Sequence, residues 1–391
     1  MNATSNVDGP MNDADLNDVP PLEPVEPSPG ADTLFAPFTS HDARAELLAS
    51  ADALPTGFTW LEKNGFRLSP GKLYAVAARP GVGKTAMLLE LLIRNAEREP
   101  DAGAPLPGPA VFVTYEERRA DLYLRLLVRQ LYVQEGGFPS RWDDPSKPHW
   151  QQLTKPRYMA RQWLRNELDV AQPEIANAAK TLDRLTETGR VVLVDGDRDG
   201  GDVDLLLDAL TAAAAAQGRA PSLVLIDYYQ KIRPPSDLRG KGRQEQLQAV
   251  ADTLRRYAKG ELPDSPGPVP VVVGAQVNRL ADADGKTSGL PPELAHIREA
   301  DDLANDAAGV LTLHRGFPHD DEALRVRIVK NRDGVVPTVD PELGTGLKTW
   351  TFHGPSGRIH EQGNDAAPAA PTKAEPVMPW DGRRTPGGNA S

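Results

Sequence analysis

The chain of 391 residues has no cysteine. That excludes disulfides, thiolate metal sites and cysteine nucleophiles together. It has seven histidines, and His296, His314 and His319, near one another in sequence, lack paired ligand spacing, which argues against a histidine metal centre. No stretch approaches the roughly 18 apolar residues of a membrane span, and no basic segment followed by an apolar one opens the chain. The sequence therefore reads as a cytoplasmic protein with no membrane partner. Residues 1–43 contain no Lys or Arg but carry Asp8, Asp13, Asp15, Asp18, Glu23, Glu26, Asp32 and Asp42. Most of the formal charge of −11 thus sits in this tail. Any contact with nucleic acid would have to come from a local basic patch on a nearly neutral body.

Residues 1–40 are rich in Pro, Asp and Asn and lack apolar periodicity, as does 362–391, so both read as disordered tails. Between them, 41–361 reads as one domain, with a short helix expected at 41–52. The runs "KLYAVAA", "AVFVTY", "VVLVD", "SLVLID" and "VPVVVGA" are continuously apolar and rich in β-branched residues, separated by stretches long enough for helices. This predicts an α/β fold with a mainly parallel sheet covered on both faces. Near the C-terminal end, "LRVRIVKNRDG" and "TWTFHGPSGRIH" alternate apolar and polar residues, which predicts an antiparallel extension with one face wetter.

The stretch "AVAARPGVGKTAMLLELL" places a Gly-rich turn between a strand and a helix. Such a turn aims backbone N–H groups and a helix N-terminus at an anion. Arg79, Pro80, Gly81, Val82, Gly83, Lys84 and Thr85 would cradle the phosphates of ATP, with Lys84 at the β- and γ-phosphates and Thr85 on Mg²⁺. Ala78 stands where the general pattern has its first Gly. Asp227 ends an apolar run, the placement of a carboxylate that organises Mg²⁺, or of an ordinary solvated strand end. Glu116 and Glu117 end another, where a carboxylate could polarise an attacking water or simply favour a helix start. Gln276 lies just past a third, as a γ-phosphate sensor or a turn amide. The loop "KIRPPSDLRGKGR" sets Lys231, Arg233, Arg239, Lys241 and Arg243 against Asp237, with only Tyr228 and Tyr229 nearby for stacking. It is either a single-strand groove or a solvated basic loop.

In order, "TGFTWLE" (56–62), "AARPGVGKTA" (77–86), "FVTYEERRADLYLRLL" (112–127), "LVLIDYYQKIR" (223–233), "GAQVNR" (274–279), "HIREADDLANDAAGVLTLHR" (296–315) and "KNRDG" (330–334) resemble the ATPase domain of DnaB-like replicative helicases. The resemblance implies a three-layer RecA-like P-loop NTPase core and accommodates Ala78, since the family's loop reads A-R-P-x-x-G-K-T. It implies Glu116 as catalytic base, Asp227 as metal-site carboxylate and Gln276 as the link to DNA-facing loops. Lys330 and Arg332 match a pair that reaches the neighbouring subunit's ATP in a hexameric ring. Arg298 and Glu299 match a loop that grips single-stranded DNA; this chain continues with Ala300, Asp301 and Asp302, placing two acids where the family has a Gly. The helix at 41–52 resembles the family's linker helix, and the acidic tail stands in place of a helical collar domain.

The expected function is an ATP-driven, ring-forming helicase or translocase on single-stranded DNA, in replication or in plasmid or phage maintenance. The alternative is a nucleotide-switched assembly or loader protein, whose acidic tail binds another protein. A small-molecule kinase would leave the basic loop and the Lys330–Arg332 pair without a task.

Overall fold

The computed structural model describes residues 53–98, 108–135, 138, 149–168, 172–263, 265–277, 292–297, 301–315, 323–339 and 346–361, all within the unit Ala51–Ser391. The two tails, the helix expected at 41–52, and Arg298, Glu299 and Ala300 lie outside the described residues.

Among the described residues, one nine-stranded sheet has the order β3-β2-β4-β5-β1-β6-β7-β8-β9. Its strands are β1 (Leu73–Ala78), β2 (Ala110–Thr114), β3 (Val191–Asp195), β4 (Leu223–Asp227), β5 (Val271–Gln276), β6 (Gly309–His314), β7 (Ala323–Asn331), β8 (Lys348–His353) and β9 (Arg358–Glu361). From β3 through β6 every pairing is parallel, and from β6 through β9 every pairing is antiparallel. The continuous apolar runs became strands buried along their length: β1, β2 and β4 are buried at every position. Strand β7 instead alternates buried and half-buried residues along most of its length, as the alternating sequence required. Strand β6 is an addition to the expected strands. Its run "GVLTLH" contains Thr312 and His314, yet both are buried in the sheet.

The helices are α1 (Thr59–Lys63), α2 (Lys84–Ala96), α3 (Arg119–Gln134), α4 (His149–Leu164), α5 (Pro173–Glu187), α6 (Val203–Gln217), α7 (Arg243–Lys259) and α8 (Asp301–Asp306). Alternation along β1 divides the core into two layers. Tyr74, Val76 and Ala78 join the apolar faces of α2, α3 and α5. Leu73, Ala75 and Ala77 join α6 and α7 on the opposite face. Helices on both faces of a central sheet make three layers, the α/β arrangement read from the sequence. The arrangement also brings the C-terminal ends of β1, β2, β4 and β5 together: Thr114 is level with Asp227, and Ala78 with Gln276. In parallel α/β sheets, ligands bind beyond this edge.

Candidate nucleotide site

The segment from Arg79 to Gly83 leaves β1 and turns into α2. Gly81 and Gly83 have φ of 78° and 122°, values that side chains with a Cβ rarely adopt. A Cβ at Gly81 would meet no atom within 4 Å, so the turn opens on free space. Val82 is buried and donates its N–H back to the Arg79 carbonyl (3.4 Å), while Pro80 is exposed. The first N–H groups of α2, on Lys84 and Thr85, have no intrahelical acceptor and carry the positive end of the helix dipole.

Lys84 is buried, with its Nζ 3.7 Å from Asp227 Oδ1 and 4.2 Å from the centre of the Tyr228 ring. Burial pushes the Lys84 ammonium down from its ordinary pKa, opposed by the charges of Asp227 and Glu116. Burial likewise pushes Asp227 up, opposed by Lys84 and by the hydroxyl of Thr85. Thr85 Oγ1 donates to Asp227 Oδ2 at 2.6 Å. Asp227 Oδ1 is buried without a hydrogen-bond partner. The hydroxyl and carboxylate oxygens side by side, one lacking a donor, suit a hard cation that takes oxygen ligands. Among the described residues no cluster of three or more His, Asp or Glu side chains could hold a metal by itself. A cation here would need further oxygens from a ligand or water, as Mg²⁺ at phosphates does.

The neighbouring acids are not equivalent. Glu117 is taken by Arg125, whose Nε donates to it at 2.7 Å and whose second nitrogen donates to its other oxygen. Glu116 has no such partner among the described residues and is exposed at the mouth of the site. Partial burial raises its pKa, Lys84 lowers it, and Asp227 and Glu117 raise it further. The Thr114 hydroxyl fixes the turn by accepting from the N–H groups of both Glu116 (3.2 Å) and Glu117 (3.0 Å).

Gln276 is held by its backbone. The Gln230 side chain accepts from Gln276 N–H and donates to its carbonyl, both at 3.1 Å. Its own side chain stands close enough to the Tyr228 hydroxyl to lower that group's pKa against the effect of burial, and the Tyr228 ring lies under Lys84. Arg243 donates to the Gln230 carbonyl. A chain of contacts thus joins the basic loop to Lys84.

That loop is less positive than its sequence. Arg233 pairs with Asp197 (3.4 Å), Arg239 with Asp202 (2.9 Å) and Lys241 with Glu245 (3.5 Å). All three cations remain more than half exposed, and exposed pairs of this kind contribute about 0–1 kcal/mol.

Lys330 and Arg332 lie at the other rim of the sheet. Lys330 pairs with Val310, itself level with Ala75, and Arg332 N–H donates to the carbonyl of Ala308, whose N–H donates to Leu73. At about 3.3 Å per residue, Arg332 is on the order of 16 Å below the phosphate turn along the strands. Lys330 Nζ donates to the carbonyls of Ala304 and Asn305, both at 2.7 Å, and Arg332 donates to Asn305 at 2.8 Å. The two cations therefore cap the C-terminal carbonyls of α8. Burial and the neighbouring Arg332 both lower the pKa of Lys330.

Three features had no signal in the sequence reading. Gly274, on β5, makes room for the ion pair: a Cβ there would lie 3.0 Å from Asp227 Oδ1 and 3.1 Å from the Lys84 Cδ and Cε atoms. The Phe352 ring lies 3.6 Å from the Cβ position at Gly83, with the Arg315 guanidinium 4.7 Å from the centre of the ring. Phe352 and Arg315 reach the turn from β8 and from the end of β6, so no local spacing announces them. The Gln230 clamp is the third.

Residues 53–196 and 204–348 match the model of the DnaB-like helicase C terminal domain. A replicative DNA helicase DnaB of Leifsonia xyli subsp. xyli is 26% identical over 295 residues, covering 74% of this chain and 54% of the relative. A probable plasmid replicative DNA helicase of Chlamydia psittaci is 23% identical over 290 residues, 73% of this chain and 52% of its own. The chain spans about half the length of the curated relatives it matches. A solved DnaB-like replicative helicase, studied with its interactions with primase, superposes with a TM-score of 0.56 at 18% identity, over 82% of this chain and 67% of that one. A second solved structure, an ATPase domain, gives 0.58 at 20% identity, over 82% and 96%.

Proposed function

The chain belongs to the family of DnaB-like helicase C-terminal domains, and from that premise we propose that it is an ATP-driven, ring-forming helicase or translocase on single-stranded DNA. The observation that carries this reading is the convergence of Lys84, Thr85, Asp227 and Glu116 at one end of the parallel sheet. ATP lies along the turn 79–85, with the backbone amides and Lys84 against its phosphates. Thr85 and Asp227 would hold Mg²⁺, which would supply neutralisation of phosphate charge. Glu116, the carboxylate without an arginine partner, orients and deprotonates the attacking water. The adenine ring of ATP would lie beside the turn against Phe352 and Arg315.

Lys330 and Arg332 stand too far down the sheet to serve their own chain's phosphates. Supplied to the next subunit of a hexameric ring, they would leave the α8 carbonyls and meet transition-state charge, a contribution of about 10³ to 10⁵ in rate. Gln276 senses the γ-phosphate, and the Gln230–Arg243 contacts pass its position to the basic loop of Arg233, Arg239, Lys241 and Arg243, with Arg298 and Glu299 on a second DNA loop. The work is cytoplasmic, in chromosomal replication or plasmid or phage maintenance, with the acidic tail free to engage a protein partner.

One observation favours a second reading. Arg233, Arg239 and Lys241 are already matched by acids of the same chain, which suits a nucleotide-switched loader with little grip on DNA. Steady-state ATP hydrolysis with and without single-stranded DNA, at low and moderate salt, separates the two. A helicase or translocase gives DNA stimulation that falls steeply with salt. Hydrolysis indifferent to DNA overturns it in favour of the loader.

A further inference from the structure

A cavity of about 550 Å³ lies between α2, α3, α4 and the turn joining β8 to β9. Neither Lys84 nor Thr85 lines it, so it is not the phosphate turn itself, although it shares Phe352 with the face proposed for the adenine of ATP. Four guanidiniums line it: Arg125, Arg129, Arg157 and Arg161.

Three of them are matched. Arg125 holds Glu117 (2.7 Å), Arg129 holds Glu90 through two nitrogens (2.8 and 2.9 Å), and Arg161 reaches Asp121 (3.4 Å). The carboxylates are shared further: Glu90 also meets Arg94 and Arg358, and Asp121 also meets Arg118. Arg157 has no ion pair among the described residues, and its Nε is buried without a hydrogen-bond partner. Burial and the charges of Arg125 and Arg161 disfavour its cation, against a weaker pull from Glu117 and Asp121. A buried donor left unsatisfied is destabilising, the more so when it carries charge. Helix α4 therefore holds a cation in a wall that already has a surplus of cations. The open volume beside it is large enough for a small ligand and too small for a folded partner.

We propose that this cavity is a second anion site, taking a phosphate or pyrophosphate group through Arg157 with Arg125 and Arg161 around it. Planar guanidiniums meet phosphate oxygens two at a time, which favours phosphate over a spherical anion. Ala86 and Leu89 of α2 also line the cavity, and Ala86 directly follows Thr85. An occupant would thus sit against the helix that begins at the phosphate turn, placed to bias nucleotide binding.

The test uses inorganic pyrophosphate and the full chain carrying Lys84→Ala, which removes the lysine of the phosphate turn. Calorimetric titration at constant ionic strength should show saturable binding. Adding Arg157→Gln should weaken it by about tenfold or more, a loss of about 1.4 kcal/mol, with Arg157→Lys intermediate. Arg118→Gln, which removes an exposed cation paired to the same Asp121, should leave it unchanged. Absence of saturable binding in the Lys84→Ala chain, or equal binding after Arg157→Gln, overturns the site. Arg157→Gln alone should melt no lower than the parent, because the cation it removes has no ion-pair partner among the described residues. A melting temperature several degrees lower would mean that the guanidinium is satisfied internally, and would also overturn the proposal. ATP binding by the Arg157→Gln chain, measured in parallel, tests the phosphate turn separately from this cavity.

Discussion

Glu90 should be one of the most costly single residues to remove, although it touches none of the chemistry. It projects from α2 with no exposed surface and joins three elements. Arg129 of α3 donates to both its oxygens (2.8 and 2.9 Å), Arg94 donates at 3.1 Å, and the N–H of Ile359 in β9 donates at 3.2 Å. Arg129 is itself 3% exposed. Glu90→Ala leaves that guanidinium buried and unpaired, a change that costs about 3–5 kcal/mol, and strands the Ile359 amide as well. For a domain of this size the loss corresponds to a fall in melting temperature on the order of 10 °C. Replacing the pair together, as Glu90→Leu with Arg129→Met, should cost less than the sum of the single changes, because no lone charge is then buried.

The pH dependence has a definite sign. Burial alone would raise the Glu90 pKa, but Arg129, Arg358 and Arg94 reverse this and leave it below the ordinary value. A depressed carboxylate contributes stability that is present above its unfolded pKa of about 4.3 and is lost as pH falls through the lower folded value. The stability gap between the parent and Glu90→Gln should accordingly be constant near neutrality and shrink below about pH 4. Thermal unfolding followed by circular dichroism measures both effects. A Glu90→Ala chain that melts within 2 °C or so of the parent would refute the reasoning.

Gly274→Ala should lower ATP affinity by about tenfold and the melting temperature by a few degrees, since the new Cβ crowds the Lys84–Asp227 pair and overpacking of this kind costs about 1–3 kcal/mol; unchanged affinity in an equilibrium nucleotide titration would show that the pair shifts freely. If Glu116 is the base, the acid limb of ATP hydrolysis should fall above the ordinary carboxylate range, because partial burial raises its pKa. A pH–rate profile flat down to the pKa of a free glutamate would contradict this.

The parallel strands were legible because a strand covered on both faces must be apolar at every position, and Ala110–Thr114 or Leu223–Asp227 can hardly be read otherwise. Strand β6 was less so. Thr312 and His314 interrupt its apolar run, and only the neighbouring β1 and β7 turn them inward. The phosphate turn is a local motif, and its seven residues stand together as their spacing implied. The residues alone left Glu116 and Glu117 open and only the resemblance favoured Glu116; Arg125, nearly two turns into α3, is folded against the other acid and ion-pairs with it. The basic loop misled in the opposite way. Counted along the chain it faces one acid, Asp237, but Asp197 and Asp202, more than thirty residues upstream, are folded against it. Charge balance in a patch is a property of the surface, and the sequence lists only neighbours along the chain.

The central claim is that Lys84, Thr85, Asp227 and Glu116 form a site that binds and hydrolyses ATP. The most direct measurement compares ATP binding and turnover in the parent, Lys84→Ala and Glu116→Gln chains, each shown to be folded. The account predicts that Glu116→Gln binds ATP as the parent does and loses hydrolysis by about 10² or more, whereas Lys84→Ala loses both. Normal turnover in either variant would contradict it.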